Sequence, residues 1–205
     1  MSAISRIVFA SGNPGKIREV GDLFADLAIE VIPQGELEIE SPEETEATFV
    51  GNALLKARHA AAASGLPAMA DDSGIAVDAL DGRPGVRSAR YAGPDASDAD
   101  NVDRLLEVLA AVADADRGAG FHCAAVLVGP GSDAVPLIAE GVWRGTILRE
   151  RVGDGGFGYD PVFLDPASGK TGAQMTREEK NRVSHRGRAF SELRRLLQQH
   201  LSTGQ

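Results

Sequence analysis

Two neighbouring carboxylates, Asp71 and Asp72, stand in the run Ala70-Asp71-Asp72-Ser73-Gly74, behind a short apolar segment that begins at Pro67. At the end of an extended strand successive side chains point to opposite faces, so the two acids should not share one task. One can face a metal and a water while the other orients basic neighbours; an aspartate-rich turn would carry the same letters without chemistry. A second acidic group, Glu43, Glu44 and Glu46, precedes a segment in which Asn52 and Lys56 stand four residues apart and so share one helical face. Acids ahead of a helix commonly serve only its dipole. Were Glu44 inside that helix, it would start roughly 18 Å along the axis from Lys56. For both to meet one ligand, Glu44 must lie in the loop and fold back.

Glycine-bearing turns supply further candidates. Ser11-Gly12-Asn13-Pro14-Gly15-Lys16 joins an apolar run to an amphipathic one, where backbone N–H groups and a helix dipole can hold an anion and Lys16 adds a mobile charge. It is not a Walker A loop, because only two residues separate Gly12 from Gly15 and Ile17 stands where that loop carries Ser or Thr. An ordinary turn fits the same residues. In Gly155-Gly156-Phe157-Gly158-Tyr159-Asp160-Pro161 the glycines let a loop close over a flat ligand, with Phe157 or Tyr159 as stacking face or as plain anchor. Lys180 and Ser184-His185-Arg186 could present donors to the carbonyl of a base, and Ser184 could equally cap the last helix.

The elements that must position these residues follow from periodicity. Arg6 to Ala10 reads as a buried strand, and the helix after it carries Ile17, Val20, Phe24 and Leu27 on one face. Ile29 to Ile32 suggests a second strand, and an Ala-rich helix runs to about Ser64. Pro67 to Asp72 reads as a strand, Asp81 to Asp95 as a loop, and Asp98 to about Val112 as a helix. Phe121 to Val128 and Val135 to Val142 suit a hairpin across the turn-rich GPGSDA; a last helix follows Ser184, and Ser202 to Gln205 form a tail. Interleaved strands and helices predict an α/β fold, and the hairpin makes its sheet mixed. There is no internal repeat and no linker long enough to separate independent domains, so residues 1–205 read as one domain.

Composition narrows the function classes. A chain of 205 residues buries roughly 70% of its unfolded surface, enough for a sizeable core. With 30 acidic and 21 basic residues the net charge is -9, which repels a phosphate backbone and leaves no footprint for nucleic acid or anionic lipid. Any anionic ligand must be held by a local cluster of Lys and Arg. The apolar run Ile7 to Ala10 is too short for a signal-peptide core and nothing approaches a membrane span, so a cytoplasmic protein is expected. A single cysteine, Cys123, excludes an intrachain disulfide and a thiolate zinc cluster, and its apolar surroundings read as core. His59, His122 and His200 have no metal-ligand spacing and read as structural or surface residues, and Trp143 as core or interface.

Taken in order along the chain, SGNPGK, ETEATFVGNALLKA, MADDSGIAVDALDGRPGVRSARYAG, GGFGYDPVF and KNRVSHRGRA closely resemble the inosine triphosphate pyrophosphatase family, also called dITP/XTP pyrophosphatases. The resemblance spans nearly the whole chain. It implies a two-lobed α/β fold around a long mixed sheet with flanking helices, usually dimeric, with the nucleotide in the cleft between lobes. It implies hydrolysis of inosine and xanthosine triphosphates to the monophosphate and pyrophosphate with Mg2+ as cofactor. By resemblance the triphosphate lies against Ser11, Gly12, Asn13, Pro14, Gly15, Lys16 and Lys56, the magnesium near Glu44 and Asp72, and Asp72 is the proton acceptor. The resemblance also has Ser73 help hold the substrate and Phe157, Gly158, Tyr159, Asp160, Lys180, His185 and Arg186 form the base and sugar pocket; hydrogen-bond matching then suggests Arg186 as donor to a 6-keto oxygen, which adenine's amino group would leave unpaired. Strand-end geometry by itself leaves the choice between Asp71 and Asp72 open. A pyrophosphatase for modified pyrimidine or ordinary nucleotides, or a module that binds a triphosphate without cleaving it, would carry much of the same machinery.

Overall fold

The computed structural model of the chain describes residues 4–131 and 135–203. Along the chain these form β1 (Arg6–Phe9), α1 (Pro14–Phe24), β2 (Glu30–Pro33), α2 (Phe49–Ser64), β3 (Ala68–Val77), α3 (Asp98–Val108), β4 (Gly118–Val128), β5 (Leu137–Ile147), β6 (Phe163–Asp165), β7 (Lys170–Thr171), α4 (Arg177–Val183) and α5 (His185–Thr203). The strands make one mixed sheet in the order β2-β1-β3-β4-β5-β6-β7, so the fold is α/β as expected. The chain divides into two compact units, one of Met1–Asp72, Cys123–Gly141 and Arg186–Gln205, the other of Ser73–His122 and Val142–His185.

In the first unit β1 pairs in parallel with β2, Val8 opposite Ile32, and with β3, Phe9 opposite Met69. Parallel neighbours need crossover helices, which α1 and α2 supply. Ile7, Val8 and Phe9 are all fully buried, the continuous apolar run that a strand covered on both faces requires. Asn13 caps α1 through the amides of Gly15 and Lys16, with Pro14 in the first turn. Thr48 caps α2, and Gly65 ends it in the left-handed conformation. One face of α2 is small: Ala53, Ala57, Ala60 and Ala61 pack against Val8, Ala68, Ala70 and Val126. That close approach carries Asn52 and Lys56, on the same side of the helix, into buried positions. The other core cluster gathers Phe24 of α1, Phe9 of β1 and Phe190 of α5, with ring centroids 5.9 Å (Phe9–Phe190) and 6.2 Å (Phe24–Phe190) apart and edge-on.

The second unit packs Val102, Leu105 and Leu109 against Ile75, Val77, Phe121, Trp143 and Phe163. Arg117 is buried there with its guanidinium on the carbonyls of Ile147 (2.8 Å), Leu109 (2.6 Å) and Leu148 (2.9 Å). Trp143 is a core residue, and its Nε1 donates to Asp165 Oδ1 at 3.1 Å.

Several boundaries differ from the sequence reading. β3 does not stop at Asp72 but runs on to Val77, because Ile75 and Val77 are apolar side chains buried in the second unit. The two acids are therefore mid-strand. β5 begins later and extends to Ile147, since buried Trp143 alternates with exposed Val142 and Arg144. α3 ends at Val108, and α4, β6 and β7 are too short for periodicity to announce. The turn residues Ser132 to Ala134 of GPGSDA and the last two tail residues lie outside the described residues, whereas Ser202 and Thr203 belong to α5. Among the described residues no helix is long and apolar enough to cross a membrane.

Candidate active site

Alternation along β3 separates the two aspartates completely. In the first unit Asp71 Oδ2 receives Lys16 Nζ at 3.0 Å and Arg186 Nε at 3.2 Å, and Arg186 Nη1 also donates to Glu19 Oε2 at 2.7 Å. All of Asp71's side chain is buried, which would raise its carboxyl, but Lys16, Arg186 and Lys56 outweigh burial and hold it well below the usual carboxylate range. Burial opposes the charge of Arg186 as well; Asp71 and Glu19 more than compensate and push it up. Cys123 lies with Sγ 3.8 Å from Asp71 Oδ2, and burial followed by the Asp71 charge pushes its thiol up, so it stays a neutral core residue.

Asp72 turns the other way. Its Oδ1 receives Lys56 Nζ at 3.2 Å and its Oδ2 the amide of Asn52 at 3.1 Å, while Lys56 Nζ also reaches Glu44 Oε1 at 2.7 Å. Burial raises the carboxyl of Asp72, and the nearby Glu44 adds to the rise that Lys56 only partly offsets. Lys56 is depressed by burial but raised overall by Asp72, Asp71 and Glu44, so it remains an ammonium. Adjacent carboxylates are thus driven in opposite directions. Sequence reasoning placed Asn52 beside Lys56 without giving it a role, and its second partner explains one. The backbone N–H of Glu46 donates to Asn52 Oδ1 at 3.0 Å, drawing the acidic loop back over the first turn of α2. Gly51 makes this approach possible, because a Cβ there would stand 2.8 Å from Glu46 Cβ. Glu44 lies in that folded-back loop, ahead of α2.

The carboxylates of Glu44 and Asp72 converge on one cationic nitrogen, which is the arrangement a metal ion needs. Among the described residues no three Asp, Glu, His or Cys side chains gather into a closed metal cage. Two carboxylates with remaining positions left to water and substrate phosphates suit magnesium, which keeps most of its hydration and is seldom held by protein alone.

The glycine turn behaves differently from expectation. Asn13 Oδ1 accepts from Gly15 N at 2.8 Å and Lys16 N at 3.2 Å, and Ser11 Oγ accepts from Asn13 N at 3.2 Å. Those amides cap the helix and are not open donors for an anion. Positive charge at this end of the unit comes from the Lys16 side chain. Glu19, three residues on along α1, was not anticipated; its only signal was an i, i+3 relation to Lys16.

In the second unit the loop before β6 is organised by Asp160. Its Oδ2 accepts from Phe157 N at 2.8 Å and from Lys180 Nζ at 2.5 Å, both Asp160 and Lys180 being buried. Gly156 has φ +73, and a Cβ there would run into the Asp160 carboxylate. Asp160 therefore holds the loop. Tyr159 is buried too, donating its hydroxyl to Ser88 O at 2.8 Å, which makes it the anchor and leaves half-buried Phe157 as the ring able to stack on a ligand. Lys180 Nζ lies 4.6 Å from the centroid of Phe157. Gly158 follows Phe157 in this loop, and half-buried Ser73 is the first residue of this unit on β3. His185 is 4% exposed and stacked on Phe121, centroids 4.7 Å apart at 8°. Arg186, expected among the donors to a base, is 2% exposed with its guanidinium engaged by Asp71 and Glu19 in the first unit. Its charge balances buried carboxylates, a demand that no sequence interval of this length reveals.

Residues 7–196 match the model of the Ham1 family. The chain is 56% identical over 187 residues to the dITP/XTP pyrophosphatase of Yersinia pestis, covering 91% of this chain and 95% of that protein. It is 57% identical over 188 residues to the dITP/XTP pyrophosphatase of Methylococcus capsulatus, covering 92% and 94%. A solved HAM1 protein from Coxiella burnetii superposes with a TM-score of 0.87 at 48% identity, over 96% of this chain and all of that one.

Proposed function

The chain belongs to the Ham1 family, and from that premise we propose that it is a nucleoside triphosphate pyrophosphatase that cleaves noncanonical purine nucleotides, ITP, dITP and XTP, to the monophosphate and pyrophosphate. The observation that carries the mechanism is the opposite treatment of Asp71 and Asp72. A general base works best with its carboxyl raised towards the working pH, and Asp72 is the member of the pair whose carboxyl is raised on balance, burial and Glu44 outweighing Lys56. Asp71, neutralised by Lys16 and Arg186, is a poor base and serves to hold those cations.

In this reading the 205 residues act as one catalytic domain. Glu44 and Asp72 would hold Mg2+, which would supply neutralisation of the phosphate oxygens and polarisation of the α-phosphorus. Lys56 and Lys16 turn their ammonium groups from carboxylates to the triphosphate, and Ser11 to Gly15, with Ser73, shape its seat. Asp72 takes the proton from the water that attacks the α-phosphorus, pyrophosphate leaves, and no covalent intermediate forms. Phe157 and Gly158 receive the base. Lys180, steadied by Asp160 beside Phe157, supplies a cationic donor that a 6-keto oxygen satisfies and a 6-amino group does not. Tyr159 and His185 support that pocket from the core behind it.

Pyrophosphate release from ITP, XTP, dITP, GTP, ATP and dUTP, with and without magnesium, tests the reading. Strong magnesium-dependent release confined to inosine and xanthosine nucleotides is expected; orthophosphate release, or preference for ATP or dUTP, would overturn the bond or the base assignment. The proposal extends to a homodimer, which the family resemblance supports, and to a cytoplasmic location, and the net charge of -9 argues against nucleic-acid or membrane partners. The activity should appear in the soluble cell extract at twice the 21.4 kDa of one chain.

A further inference from the structure

Ser97 caps α3 by accepting from Asp100 N at 3.2 Å, and the Asp100 carboxylate returns to Ser97 N at 2.9 Å. This reciprocal cap leaves the carboxylate of Asp98, the first residue of the helix, out of the capping. It reaches instead to a residue sixty positions away in sequence: Asp98 Oδ2 accepts from Gly158 N at 2.7 Å. A little further along the same helix Asp103 Oδ1 takes Arg151 Nη1 at 2.9 Å, and Ala99 O takes Arg151 Nη2 at 2.9 Å. The start of α3 therefore ties down both ends of the glycine-rich stretch from Arg151 to Gly158.

The position of the tie matters more than its number of bonds. Phe157 N donates to Asp160 at 2.8 Å and the next amide, Gly158 N, donates to Asp98 at 2.7 Å. Both peptide N–H groups flanking the Cα of Phe157 are thus held by carboxylates from opposite directions in sequence. Two fixed peptide planes set the direction of the bond that carries the ring. The loop, with glycines at 153, 155, 156 and 158, adds a local bond from Asp160 N to Phe157 O at 3.2 Å, and Asp98 anchors that turn to α3.

We propose that Asp98 is a positioning residue that sets the orientation of Phe157 and thereby the affinity for the purine end of the nucleotide. The proposal rests on the assignment of Phe157 as base platform and not on the identity of the bond cleaved. In the Asp98→Ala variant, KM for ITP and the dissociation constant of inosine monophosphate rise about tenfold, the scale of one charge-assisted hydrogen bond to backbone. Under the same substitution kcat stays within twofold, and competition by inorganic pyrophosphate, which touches no base contact, is unchanged. Asp98→Asn keeps an acceptor oxygen and restores most of the affinity. Asp100→Ala breaks the cap of the same helix and lowers Tm without moving either constant, which separates positioning from loss of helix stability. Unaltered monophosphate binding by Asp98→Ala, or an equal loss of pyrophosphate competition, overturns the proposal. A wild-type chain that binds the monophosphate but releases no pyrophosphate from ITP overturns the proposed activity alone, and the comparison of monophosphate binding still decides the role of Asp98.

Discussion

At the scale of single residues, the site depends on giving neighbouring carboxylates different electrostatic surroundings. Asp71 and Asp72 are one bond apart in the chain, yet β-strand alternation delivers one to Lys16 and Arg186 and the other to Lys56 and Asn52. Asp71's folded carboxyl lies below its unfolded value. Its contribution to stability is therefore fully present above about pH 4 and is lost as the pH falls through the depressed folded value. Asp71→Asn leaves the buried Arg186 guanidinium with Glu19 but without the Asp71 charge and should cost about 3 kcal/mol at pH 7, a gap that narrows in thermal melts only below about pH 4. Asp72 behaves oppositely. Burial disfavours its charge, so Asp72→Asn should keep or raise Tm while kcat falls by roughly 10²–10⁴-fold. Equal losses of stability in the two variants would contradict the division of labour between them.

At the scale of elements, short irregular segments bring Glu44 and Phe157 to residues such as Lys56 and Lys180 that helices carry. The acidic loop is drawn over α2 by Asn52 and admitted by Gly51, and the loop around Phe157 is drawn together by Asp160 and admitted by Gly156. Gly156→Ala combines a left-handed backbone with a Cβ on the Asp160 carboxylate, so it should cost about 1–3 kcal/mol and weaken inosine monophosphate binding. If calorimetry finds that binding unchanged, Asp160 does not organise the pocket. Start signals and a run of alanines announced α2, and periodicity announced α1, α3 and α5 because each repeats an apolar face over successive turns. It did not announce α4 or β7, with seven and two residues, since one or two turns or a single pair contain no period to detect.

At the scale of the whole molecule, charge governs access. The chain carries -9, and the named site cations Lys16, Lys56, Lys180 and Arg186 are already matched by Asp71, Asp72, Glu44, Asp160 and Glu19. If the proposed assignments hold, a bare triphosphate meets no surplus of positive charge. Removal of divalent metal by EDTA should therefore weaken ITP binding itself by tenfold or more, and not merely stop turnover; isothermal titration that finds the same affinity in EDTA would refute this. What the sequence determined by itself follows from short-range rules. The strand, turn and helix at the start, the shared face of Asn52 and Lys56, the need for Glu44 to fold back and the divergence of Asp71 from Asp72 all rest on repeats of two or about four residues. Tertiary structure alone decided that Arg186 neutralises Asp71 across 115 positions, that Tyr159 and not Phe157 is the anchor, and that the amides of the first turn serve Asn13. Those choices depend on which surfaces are buried together, and burial between distant segments leaves no period in the chain.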